Sequence, residues 1–125
     1  MIVATPRLKK GFMVIYPEKV RGMEMYASTI KGCFKFGKRM DSPIKPDIIV
    51  IGSVAVDRKG NRLGKGGGYG DREIDFFEKE FGKICVATTV HDLQIVRSVP
   101  SEKHDKKIDV IVTPNKVIKV GGEDD

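Results

Sequence analysis

Apolar residues along this chain gather in three short runs, 48–56, 84–90 and 110–113. All three are rich in Val and Ile and lack strict alternation with polar residues, a pattern suited to strands covered on both faces of a parallel sheet. A fourth run, 12–16, predicts a further strand stopped by Pro17. Between the first two runs, Ile74, Phe77 and Phe81 recur at i, i+3 and i+7, so 71–81 reads as a helix with a single apolar stripe. Gly82 supplies its C-terminal stop. Residues 25–36 carry a weaker helical pattern, because Gly32 sits inside it. Strand, glycine-rich loop, helix, strand is a βαβ unit. It predicts an α/β fold with a mostly parallel sheet flanked by helices. In such sheets ligands bind beyond the carboxyl ends of the strands. The loop 64–70 and the segments after Val56 and Val90 lie at such ends.

Size and composition narrow the class. The 125 residues predict one domain, 1–120, followed by a disordered acidic tail at 121–125. No apolar run approaches the ~20 residues that span a bilayer, and Met1-Ile2-Val3-Ala4 is no signal peptide. Cys33 and Cys85 stand outside any CxxC or metal-ligand spacing. They read as small buried hydrophobes of a reducing cytoplasm, which makes the predicted location cytoplasmic. A net charge of +6 permits an anionic partner such as a nucleotide, a nucleic acid or an acidic metabolite. Lys31, Lys35, Lys38 and Arg39 fall near helical spacing, and Arg7, Lys9 and Lys10 form a second basic cluster. Aromatic residues are not regularly interleaved with the cations and no RNA-recognition or zinc-finger signature is present. A solvated Lys-rich surface therefore ranks above nucleic-acid binding.

The chemistry concentrates in one stretch. Five of the seven residues from Gly64 to Gly70 are glycine, so backbone N–H groups lie open just before a helix. Arg62 and Lys65 bring cations to the loop and Asp71 follows it, the layout of a phosphate site. The alternative is a flexible hairpin tip. The loop is neither a Walker A, since Gly66 follows Lys65, nor a dinucleotide fingerprint, since Tyr69 falls on the third glycine position. Asp71 could equally cap the helix, and Asp109 could be a strand-edge carboxylate. Asp57 reads as a turn residue. His104-Asp105 has no accompanying nucleophile motif, whereas His91-Asp92 follows a strand and is better placed to meet a ligand.

The full string from Asp57-Arg58-Lys59-Gly60-Asn61-Arg62 through Leu63-Gly64-Lys65-Gly66-Gly67-Gly68-Tyr69 to Asp71 closely resembles the signature of the 5-formyltetrahydrofolate cyclo-ligase (methenyltetrahydrofolate synthetase) family. A second match, Val99-Pro100-Ser101-Glu102-Lys103-His104-Asp105 then Ile108-Asp109-Val110-Ile111-Val112-Thr113, follows in the family's order. Together they cover about 48–120, with the flavour of the archaeal branch or of synthetase-domain relatives. The resemblance implies a fold akin to sugar-phosphate isomerase and CoA-transferase-like proteins. It implies ATP- and Mg2+-dependent closure of 5-formyltetrahydrofolate, or a related formyl-pterin, to the 5,10-methenyl form. By motif position, Arg62, Leu63, Gly64, Lys65, Gly66, Gly67, Gly68 and Tyr69 would line the nucleotide phosphates, with Arg62 and Lys65 as the catalytic cations. Asp71 and Asp109 would be the magnesium carboxylates.

Two features depart from the family pattern. The start at Met1-Ile2-Val3-Ala4-Thr5-Pro6 reads as a point inside the family domain, without its N-terminal Lys/Arg helix. Gly70 stands where a second aromatic is usual. The first implies a homo-oligomer or a partner that completes the domain. Both keep open a non-catalytic nucleotide- or nucleic-acid-binding relative. A sugar-phosphate or CoA-transferase-like enzyme ranks last, for want of a catalytic Glu motif.

Overall fold

The first apolar residues pair at once. In the computed structural model, which describes residues 1–66, 68–101 and 106–121, β1 (Ile2–Ala4) runs antiparallel to β2 (Phe12–Val14), with Ile2 opposite Val14. The short β3 (Lys38–Arg39) lines the other edge of β2, also antiparallel. The helical pattern at 25–36 resolves into two helices, α1 (Glu24–Ala27) and α2 (Ile30–Phe36). The break has a local cause. Thr29 Oγ1 accepts from Gly32 N at 3.0 Å and donates to Tyr26 O at 2.6 Å, capping the second helix where the first ends. Lys38 and Arg39 thus stand in a strand, not on a helix with Lys31 and Lys35. Met13, Ile15, Val20, Ala27 and Cys33 form the core of this unit, Met1–Ile44.

The second unit, Lys45–Asp125, holds the parallel sheet. The run at 48–56 is not one strand. It forms β4 (Ile48–Ile51), breaks at Gly52 and Ser53, and resumes as β5 (Ala55–Val56) in a hairpin with β6 (Arg62–Leu63). Thr88 helps fix the break: its hydroxyl, fully buried, donates to Ile51 O at 2.6 Å and lies 2.6 Å from Ser53 Oγ. The chain continues through α3 (Tyr69–Phe81), β7 (Cys85–Thr89), β8 (Val110–Val112) and β9 (Val117–Lys119). The sheet order is β4-β7-β8-β9, with the first two pairings parallel and the last antiparallel. The α/β expectation therefore holds, with a sheet that is mostly but not entirely parallel.

Ile74 of α3 packs into a core of Ile51, Val56, Val86, Val90, Ile108, Ile111 and Ile118. Coverage on both faces does not extend to β4. Ile51 is buried, but Ile48 and Val50 are 50% and 63% exposed. An apolar run cannot by itself report which of its alternate side chains finds a neighbour. The cysteines divide likewise: Cys33 is buried, as its reading required, and Cys85 is exposed, against it. Among the described residues no helix is long and apolar enough to cross a membrane. Residues 122–125 of the acidic tail lie outside the described residues.

Candidate functional site

The loop is aimed by the turn before it. Asp57 is 2% exposed. Its Oδ1 accepts from Lys59 N at 2.9 Å and Asn61 N at 3.0 Å, and its Oδ2 accepts from Asn61 Nδ2 and Val99 N, both at 2.9 Å. Burial pushes this carboxyl up, but the bonds from Val99, Asn61 and Lys59 outweigh it and hold the carboxyl below the usual aspartate range. Gly60 closes the turn at φ 87°, and a Cβ there would stand 2.4 Å from Ile108 O. Asp57 is thus the turn residue its surrounding sequence predicted. It orients β6 and, through Val99, anchors the distant Val-Pro segment.

Arg62 opens the glycine loop. Its Nε donates to Gly52 O at 2.9 Å, just past the carboxyl end of β4. Its Nη2 would stand 2.8 Å from a Cβ at Gly64 and 2.6 Å from one at Gly70. The guanidinium therefore passes between two glycines, and their missing side chains let it lie close to the first turn of α3. Gly68, at φ 69°, is the N-cap of that helix and supplies no side-chain cap, so Asp71 is a first-turn residue and not the cap. An uncapped helix start beside a guanidinium is a place where an anion finds aligned amides and a cation together. Leu63, Lys65 and Gly66 are exposed and Tyr69 is half-buried, its ring centre 5.2 Å from the Arg72 guanidinium carbon. Among the described residues Lys65 has no ion-pair partner. Gly67 lies outside the described residues.

Two carboxylates stand in the first turns of α3. Asp71 Oδ1 accepts from Lys106 N at 3.2 Å. Glu73 is half-buried, and burial raises its carboxyl pKa against the opposing pull of Arg62. Pattern reading passed over Glu73, whose only sequence signal was its place one helical step beyond Gly70. It also passed over Gln94. Gln94 Nε2 donates to Ser53 O at 3.0 Å and Val54 O at 3.2 Å, while its Oε1 accepts from His91 N at 2.7 Å. This amide ties the segment after β7 to the segment after β4. His91 serves the same local turn, its Nδ1 accepting from Leu93 N at 3.2 Å. Glu102, Lys103, His104 and Asp105 lie outside the described residues.

A family model for the 5-formyltetrahydrofolate cyclo-ligase family matches residues 2–114. The chain belongs to this family. It is 36% identical over 135 aligned positions to the methenyltetrahydrofolate synthase domain-containing protein of Bos taurus, covering 98% of this chain and 35% of that protein. It is 37% identical over 71 positions to the 5-formyltetrahydrofolate cyclo-ligase of Escherichia coli K12, covering 57% of this chain and 38% of the enzyme. The chain thus spans about a third of the length of the curated relatives it matches. Its fold is similar to the solution structure of Aquifex aeolicus 5,10-methenyltetrahydrofolate synthetase, with a TM-score of 0.51 and 26% identity over 75% of this chain and 48% of that one.

The cyclo-ligase resemblance implied a magnesium ion shared by Asp71 and Asp109, and the two carboxylates have different partners. Asp109 N donates to Val86 O at the start of β7, level with Ile49 in the register, whereas Arg62 holds Gly52. Three residues along a strand separate the two levels by about 10 Å. The Asp109 carboxylate is committed locally, its Oδ2 accepting from Lys83 Nζ at 2.7 Å and Val86 N at 2.8 Å. Among the described residues no three His, Cys, Asp or Glu side chains gather as a metal site. Asp71 is the carboxylate beside the loop. Asp109 is a clasp at the amino ends of β7 and β8.

Proposed function

We propose that the stretch from Arg62 to Asp71 holds the phosphates of ATP, and that the chain is the nucleotide-binding part of an enzyme closing 5-formyltetrahydrofolate, or a related formyl-pterin, to its 5,10-methenyl form. The single observation that carries this reading is the Arg62 guanidinium threaded between Gly64 and Gly70 at the uncapped start of α3. Phosphoryl transfer asks a protein for positioning and charge stabilisation more than for covalent chemistry. Arg62, already oriented through Gly52 O, offers a planar fork to phosphate oxygens. Lys65 adds a point charge, and the amides of Gly66, Gly68 and Tyr69 would meet the phosphate oxygens beside Leu63 and Gly64. In the reaction the formyl oxygen takes the γ-phosphoryl group, N10 closes on the formyl carbon, and phosphate departs with that oxygen. Asp71 and Asp109 would be the carboxylates for a magnesium ion, and no step is routed through it.

Calorimetric titration with ATP, with Lys65→Ala and Arg62→Ala as paired variants, tests the site. Wild type is expected to bind, and each variant to lose about tenfold or more in affinity. Absence of ATP binding to the wild type removes the reading. Conversion of 5-formyltetrahydrofolate, followed by the methenyl chromophore, then separates enzyme from binder. A second reading, a nucleotide-binding relative without catalysis, is favoured by one finding. The match covering 98% of the chain is to a synthase domain-containing protein, while the match to the E. coli cyclo-ligase covers 57%. ATP binding without conversion selects it.

A further inference from the structure

The net charge of the chain is not spread evenly. Residues 1–44 hold nine Lys and Arg against three Asp and Glu, whereas residues 45–125 hold fourteen of each. The whole surplus of +6 therefore sits on the first unit, Met1–Ile44. Among the described residues every ion pair lies in the second unit. Within the first, Lys19 lies over the Tyr16 ring and Lys35 over the Tyr26 and Phe36 rings. The side chains of Arg7, Lys9, Lys10, Lys31, Lys38 and Arg39 have no such partner among the described residues, and all six are exposed.

Apolar groups share this surface. The helix α2 buries Gly32 and Cys33. At about 100° per residue, the opposite arc holds Ile30 and Phe34 beside Lys31 and Lys35, each pair at i and i+4. All four are exposed, Ile30 to 62% and Phe34 to 43%. Met25, on the preceding α1, is 87% exposed. A solvated Lys-rich surface accounts for the lysines but leaves this apolar arc facing water. A second copy of the chain does not suit it, because two units of +6 repel. A nucleic-acid strand would meet the cations, but Met25 and Ile30 offer bases no ring to stack on. The Tyr26 ring already packs edge-on against Phe36, with centres 5.9 Å apart. Side chains as exposed as Met25 protrude rather than line a groove. They suit a soft surface that closes around them, with anionic groups at the level of the lysines. We propose that the first unit docks on an anionic lipid surface. Met25, Ile30 and Phe34 enter the acyl boundary while Lys31, Lys38 and Arg39 meet headgroup phosphates. The contact is peripheral, and it does not depend on nucleotide binding by the second unit.

Co-sedimentation of the whole chain with vesicles of equal parts phosphatidylglycerol and phosphatidylcholine tests it, beside vesicles of phosphatidylcholine alone. Binding to the anionic vesicles is expected to be about tenfold or more tighter, and to weaken as salt rises. Lys31→Gln/Lys38→Gln removes two charges and is expected to weaken that binding about tenfold or more. Ile30→Gln/Phe34→Gln keeps the charge and is expected to weaken it by about the same factor. Lys65→Gln, in the second unit, leaves it within about twofold. The substituted residues are exposed, so the variants keep the fold. Cys33, on the buried side of α2, should then stay as slow toward a disulfide reagent as in the wild type. Failure to bind the anionic vesicles overturns the proposal. So does equal binding to both vesicles, or undiminished binding by either double variant. Release from the vesicles by an equimolar RNA octamer would assign the surface to nucleic acid instead.

Discussion

At the scale of single residues, Asp57 shows how a carboxylate in a signature stretch can be structural. Its four accepted bonds satisfy three backbone donors and one amide that would otherwise be stranded in a buried turn. Asp57→Ala is expected to lower stability by on the order of 3 kcal/mol, measured by urea unfolding, because those donors lose their partner without regaining water. The pH dependence has a definite sign. A carboxyl held below its ordinary value of 3.8 contributes stability that is present above that pH and lost as pH falls through the lowered, folded-state value. The gap between wild type and Asp57→Ala should therefore be full at pH 6 and shrink below 3.8. A gap that is constant down to pH 2 would sink the assignment. Asp57 was legible in sequence because the Asp-x-x-Gly-Asn chemistry is local. The partners of Asp109 were not, because Lys83 and Val86 stand more than twenty residues away and nothing in its neighbours announces them.

At the scale of elements, α3 and the loop before it form one device. Gly70 is a poor helix residue placed in the first turn, and its cost makes sense only through what it leaves room for. A Cβ at this position would stand 2.6 Å from both Arg62 Nη2 and Ile51 Cδ1, the movable ends of two side chains. Gly70→Ala should accordingly leave the fold intact and gain up to about 1 kcal/mol in helix propensity, while pushing the guanidinium from its place. The expected result is an unchanged or raised unfolding midpoint together with a several-fold loss of ATP affinity in calorimetry. Equal affinity in wild type and variant would mean that Arg62 does not grip the phosphate. Periodicity revealed α3 well, since Ile74 and Phe77 are both buried as its stripe requires. It did not reveal that the run at 48–56 would split, because the break depends on Thr88 reaching Ile51 from another strand. The split matters, for it is what sends Arg62 back to the end of β4.

At the scale of the whole chain, two apolar clusters with different architecture share one sequence. Ile15 and Cys33 belong to the first, built on an antiparallel sheet and two short helices; Ile111 and Val86 belong to the second, built on the parallel sheet and α3. Chain length says how much core 125 residues can build and not how many apolar clusters will share it. The two cysteines give each unit its own reporter. Cys85 is exposed and should react at once with a disulfide reagent. Cys33 is buried, and burial raises its thiol pKa, so it should react only when the first unit opens. Ile15→Ala removes a side chain that is 1% exposed and should cost about 2–5 kcal/mol, speeding the Cys33 reaction by more than tenfold. Ile111→Ala, equally disruptive in the second core, should leave the Cys33 rate nearly unchanged if the clusters open separately. Equal acceleration by both substitutions would instead show that the chain opens as one cooperative body, with the glycine loop and the first unit's core tied to the same transition.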